Sequence, residues 1–166
     1  MPRSPFVLAA VALASALAAP AVLAADAVQV SFADPERFTD VRDRQLGGAA
    51  ADDPTLAELA RFVQSEAAPH VAAGQTLEVR ITDVDRAGQF EPRRGRFVDW
   101  VRVVRDVTPP RIDLTYRLLA ADGQVLRSGT RALRDLQFLE RLREAPHDPL
   151  RHEKRLLADW IARDLN

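Results

Sequence analysis

Residues 78–95 read EVRITDVDRAGQFEPRRG and gather most of the side chains that could do chemistry in this chain. Asp83 and Asp85 stand at the end of an alternating pattern. Gly88 follows, then Arg93, Arg94 and Arg96, with Trp100 and Arg102 beyond. Carboxylates at i and i+2 on a strand point the same way, so they could share a proton or a cation. A calcium loop counted from Asp83 finds Asp85 at position 3 and Gly88 at position 6. It fails at Ala87 in position 5 and Arg94 in position 12, where an oxygen ligand and a glutamate are required. Arg86, Arg93 and Arg94 would also face the cation. No metal or cofactor is therefore expected. The pair fits turn scaffolding better, because aspartates at strand ends commonly accept hydrogen bonds from backbone N–H groups. An acid pair on Asp83 and Asp85, or the same two residues as ligands of a loosely held metal, stays open as the enzymatic alternative.

The arginines offer a second chemistry. A guanidinium holds carboxylate or phosphate through two parallel hydrogen bonds. Arg93, Arg94 and Arg96 on one loop could therefore capture an anionic ligand or an acidic partner. If Val101 and Val103 face a core, Trp100 and Arg102 lie together on the opposite side and extend that platform. The plain alternative is a solvated loop with a buried tryptophan, since RFVDWVRVVRD is apolar in both phases. Lys154 is the sole lysine. Together with the abundant alanine, that skew suggests GC-rich coding, which discounts every arginine cluster.

Other reaction classes lack their residues. The chain has no cysteine and no GxSxG stretch, and His70, His147 and His152 are scattered. His147 and His152 are five apart, which sets them on different faces of a helix and mismatches a zinc pair. LGGAAADD precedes a helix but lacks the lysine and hydroxyl residue of a phosphate loop. The formal charge of −1 argues against nucleic acid as a partner, which leaves a strongly basic footprint.

The N-terminus reads as a secretory leader. Arg3 precedes an apolar run from Phe6 to Ala19, Pro20 breaks it, and AVLAAD offers small residues for cleavage near Ala25. The run is shorter than the roughly 20 residues a membrane span needs. The expectation is a periplasmic protein with no membrane span after leader removal, formed by residues 26–166 as one domain. Loss of Arg3 takes the charge from −1 to −2. Without cysteine, stability must come from the core rather than from disulfides.

The elements that must position these residues follow from periodicity. VQVSF alternates as a strand. Asp53 and Pro54 announce a helix as N-cap and first residue, with Leu56, Leu59, Phe62 and Val63 as its apolar stripe, and Pro69 ends it. GQTLEVRIT, RFVDWVRVVRD, RIDLTYRLL and GQVLRSGTRAL are strands, the last two joined by the turn dipeptide Asp122-Gly123. LRDLQFLERLRE suggests a short helix. Asp148-Pro149 opens a final helix that places Leu157, Trp160, Ile161 and Leu165 on one face. This order predicts an α+β fold: an antiparallel sheet of about five strands, helices packed on one face and polar residues on the other.

Four stretches in this order, VQVSFADPERFTDVRD, LEVRITDVDRAGQFEP, VRVVRDVTPPRIDLTYRLL and DPLRHEKRLLADW, resemble the exported bacterial family known as domain of unknown function 3016. TDVDRAG is its most specific motif, and Arg86 departs from the leucine usual there. The resemblance implies an exported protein of Gram-negative bacteria and supplies no activity, ligand or catalytic residue. Residues and resemblance together favour a soluble, non-catalytic binding or interaction module. The enzyme on Asp83 and Asp85, and a structural component of an envelope assembly, are the alternatives.

Overall fold

The computed structural model describes residues 27–40, 53–93, 99–140 and 147–166, and at 92, 93, 99 and 100 the backbone alone. β1 (Val28–Phe32) leads through a short 3-10 turn at Pro35–Arg37. α1 (Pro54–Ala67) starts where the sequence places it, the Asp53 carboxylate accepting the Thr55 N–H at 2.7 Å. It buries Leu56, Leu59, Val63 and Ala67, and a 3-10 turn at Ala68–His70 carries Pro69. Then come β2 (Thr76–Asp85), β3 (Gln89–Arg93), β4 (Asp99–Val103), β5 (Arg111–Leu119), β6 (Val125–Arg134) and α2 (Arg151–Asp164).

The strands divide into two sheets. Four form a sheet in the order β1-β2-β5-β6, and β3 and β4 form a separate hairpin. Helices packed beside a sheet agree with the α+β expectation, but the single antiparallel sheet of about five strands is replaced by a four-stranded sheet and a separate hairpin. Two further details differ. β1 and β2 run parallel, Val28 opposite Leu77 and Phe32 opposite Ile81. A parallel pair needs a crossover of a dozen residues or more, and α1 supplies it. β3 lies in what reads as a polar loop: Pro92 and Arg93 hide its alternation, yet Gln89 to Arg93 pair with Val103 to Asp99.

One face of the large sheet packs on the helices. Val28, Leu77, Val79, Ile81, Ile112, Leu114, Tyr116 and Leu133 join Leu59 and Val63 of α1 and Leu157, Trp160 and Ile161 of α2 in one core. Trp160 is fully buried and meets the Tyr116 ring edge to face, centroids 5.5 Å apart. Leu165 completes the predicted face at 8% exposure. At the β6 edge, Arg131 lies over the Tyr116 ring and pairs with Asp164, while Arg127 donates to the Asp164 carbonyl. Two cations thus sit at the negative end of the α2 dipole.

α2 begins later than Asp148-Pro149 suggests. Asp148 instead turns the chain, accepting the Leu150 N–H at 2.8 Å and pairing with Lys154 at 2.7 Å. Residues 136–140 form turns rather than the start of a helix, and 141–146 lie outside the described residues. Among the described residues no helix is long and apolar enough to cross a membrane.

Candidate functional site

The two aspartates owe their orientation to one extra residue. Leu77, Val79 and Ile81 point into the core, so strict alternation would send Asp83 and Asp85 inward too. The register between β2 and β5 shifts between Ile81 and Asp83. The bulge leaves Thr82 exposed, turns Val84 into the core, and reverses the parity beyond it. Asp83 and Asp85 therefore emerge on the polar face, opposite Asp113 and Arg111.

There Asp83 fastens the chain that follows β1. Its carboxylate accepts the Thr39 N–H at 2.7 Å and the Thr39 hydroxyl at 2.8 Å, and also pairs with Arg111. Asp40 N–H donates to the Val84 carbonyl at 3.0 Å. The aspartate does bond a backbone N–H, but one 44 residues away rather than in its own turn. Burial opposes ionisation of Asp83, yet the hydrogen bonds from Thr39 and Arg111 outweigh it and hold the carboxyl below its ordinary range. Asp85 is pushed up instead, first by burial and then by the neighbouring Asp40, with Asp83 adding to it. Two neighbours with opposite shifts show how strongly directed hydrogen bonds count.

Arg102 closes the cluster from the hairpin. It grips both oxygens of Asp40, at 2.6 and 3.0 Å, donates to the Gly88 carbonyl at 3.1 Å, and lies 4.4 Å from the Phe90 ring centroid. Nearby, Arg105 pairs with Glu91. The turn between β2 and β3 is held from below: the Ala87 N–H donates to Glu153 of α2 at 2.7 Å, and the Gly88 N–H to the Thr108 carbonyl at 3.0 Å. Gly88 has φ +80°, and a Cβ there would stand 2.5 Å from the Val103 carbonyl oxygen. Glu153 is 1% exposed. Burial raises its carboxyl, against the pull of the Ala87 N–H and the guanidiniums of Arg86 and Arg102. Arg86 is itself lowered by burial and by Arg102.

The candidate residues thus separate. Asp83, Asp85 and Arg102 meet in this cluster, with Arg102 turned toward the protein's own carboxylate. Arg93 and Trp100 pair through the backbone with Asp99 and Pro92, their side chains outside the described residues, as Arg94 and Arg96 are altogether. Sequence reasoning passed over Asp40 and Glu153. Asp40 carries no signal, since its partner is 62 residues away. Glu153 does carry one: it stands four residues before Leu157, on the buried stripe of α2, where a charged residue needs a polar partner. His152 is also buried, its ring against Phe138 at 4.8 Å, and burial followed by Arg151 lowers its pKa. Among the described residues no three His, Cys, Asp or Glu side chains converge as metal ligands would.

A two-layer α+β protein, with a charged clamp where a hairpin leaves its sheet, is the class these features define. The chain belongs to the family described as protein of unknown function (DUF3016), which it matches over residues 26–163. Neither the curated proteins nor the solved structures contain a match to it.

Proposed function

We propose that this is an exported, non-catalytic interaction module, and that the arginine-bearing end of its β3–β4 hairpin takes an acidic partner surface. The distribution of charge along the hairpin carries the reading. At the base, Arg102 and Arg105 are matched by Asp40 and Glu91. From Arg93 to Asp99 the sequence RRGRFVD holds three arginines and one aspartate, a balance of 3 − 1 = +2. With the base matched by the protein's own acids, the sequence surplus of guanidinium falls on residues 93–99, and it suits carboxylates of another molecule. The leader pattern supports export, and with it a partner in the cell envelope.

An enzyme on Asp83 and Asp85 has less behind it, because both oxygens of Asp83 are engaged by Thr39 and Arg111. The hairpin reading is tested by fluorescence anisotropy with a labelled oligoglutamate peptide. The triple variant Arg93→Ala/Arg94→Ala/Arg96→Ala should bind about tenfold more weakly, a loss of about 1.4 kcal/mol, with an unchanged thermal midpoint. Equal binding by the two proteins overturns the reading.

A further inference from the structure

The sheet face turned away from the helices carries a second feature, independent of the hairpin. Its side chains line up across the strands in rows. One row runs Ser31, Arg80, Thr115, Thr130, and the next Gln29, Glu78, Arg117, Ser128. In the second row the charges satisfy each other: Arg117 donates twice to Glu78, at 2.6 and 2.9 Å. Such directly opposed pairs are the ordinary way a polar sheet face settles its charges. The first row has no acid. Arg80 is exposed, stands between two hydroxyl residues, and has no hydrogen bond or ion pair among the described residues.

This arrangement coincides with a concavity. A groove of about 540 Å³ lies over β1, β2 and β5, lined by Gln29, Ser31, Glu78, Arg80, Thr115 and Arg117 among others. That volume is within the range of small-ligand sites, roughly 300–1,000 Å³. Arg80 sits on the middle one of the three strands.

We propose that this groove binds a small hydroxylated carboxylic acid of the sugar-acid type, with Arg80 as its carboxylate anchor. A guanidinium lacking an internal acid recognises a carboxylate through two parallel bonds. The hydroxyl of Thr115 and the amide of Gln29 both donate and accept, as recognition of a polyol requires. The Ser31 hydroxyl, which donates to the Val79 carbonyl at 3.4 Å, adds an acceptor. One uncompensated cation suits a monoanion better than a doubly charged phosphate. The outward side chains here include no aromatic ring, so the groove offers no stacking surface for a nucleobase. The balance of its charged lining is two arginines against one glutamate, 2 − 1 = +1.

The test is an amide-resolved NMR titration of the mature protein with glucuronate, and with glucose as the uncharged control. Glucuronate should shift the amides of Ser31, Arg80 and Thr115, and glucose should leave them in place. Arg80→Gln, at an exposed position, should keep the thermal midpoint and weaken the glucuronate response about tenfold or more, the scale of a lost bidentate contact. Thr115→Val should weaken glucuronate more than acetate, which has no hydroxyls to lose. No shift at these amides, an equal response in Arg80→Gln, or shifts confined to β3 and β4 would each overturn the proposal. The hairpin amides report separately, so failure here leaves the hairpin reading untouched.

Discussion

Arg102 on β4 holds both carboxylate oxygens of Asp40, 62 residues earlier in the chain, and thereby ties the hairpin to the segment that leaves β1. The side chains are only 15% and 22% exposed, so solvent screens this pair less than a surface one. Removal of either partner leaves the other charge half-buried and uncompensated. Arg102→Ala and Asp40→Ala should each cost about 2 kcal/mol, in the range for hydrogen bonds to charged groups. The double variant should cost clearly less than the sum, and urea denaturation of all four proteins measures that coupling.

Asp83 supplies a pH dependence of known sign. Its folded pKa lies below the unfolded value, so its stabilisation is complete above the ordinary aspartate range and is lost as pH falls through the folded pKa. Asp83→Ala should lower stability at neutral pH by about 1–3 kcal/mol. It should also make the acid limb of the stability curve shallower than in the parent. Parallel acid limbs in denaturant melts across pH would contradict this.

Glu153 acts in the opposite sense. Its folded pKa is raised, so the folded state holds the proton more tightly, and stability falls as pH rises from the ordinary glutamate range toward the folded pKa. Glu153→Gln keeps an oxygen for the Ala87 N–H and removes the buried charge. The variant should match or exceed the parent at neutral pH and lose its advantage in acid. Glu153→Ala strips the Ala87 N–H of its acceptor and should be destabilised by about 1–3 kcal/mol. Thermal melts across pH separate the two substitutions.

Two glycines share a backbone conformation but not surroundings. Gly88 has φ +80° and Gly123 has φ +82°. A Cβ at Gly123 meets nothing within 4 Å, whereas one at Gly88 meets the Val103 carbonyl and the Val104 Cα. Gly123→Ala should cost only the left-handed strain, about 1–2 kcal/mol. Gly88→Ala adds overpacking of a further 1–3 kcal/mol, roughly. It should also unseat the hairpin, visible as faster amide exchange in β3 and β4. Equal costs at the two positions would refute the close approach.

What local pattern encodes was legible. The Asp53 cap, the α1 stripe, the alternation of β5, the Asp122-Gly123 turn and the buried face of α2 all rest on residues within a few positions of one another, where propensity and periodicity act. β3 was hidden because proline and arginine mask alternation in a strand outside the main sheet. The parallel pairing of β1 and β2 was missed because sequence order alone does not say which way a chain returns after a helix. Among the candidate site residues, Asp83 and Asp85 were recognised as a same-facing pair, but not their partners.

By itself the sequence determined most of the elements, the apolar faces and the supply of arginine and aspartate, because these depend on side-chain type and short spacing. Only the tertiary structure decided which charges neutralise one another. Thr39 and Asp40 meet Asp83 and Arg102 through packing across 44 and 62 residues, and a single bulge at Thr82 selects the face on which the aspartates emerge. Contacts of that range come from how the layers close on the core, and periodicity along the chain carries no record of them.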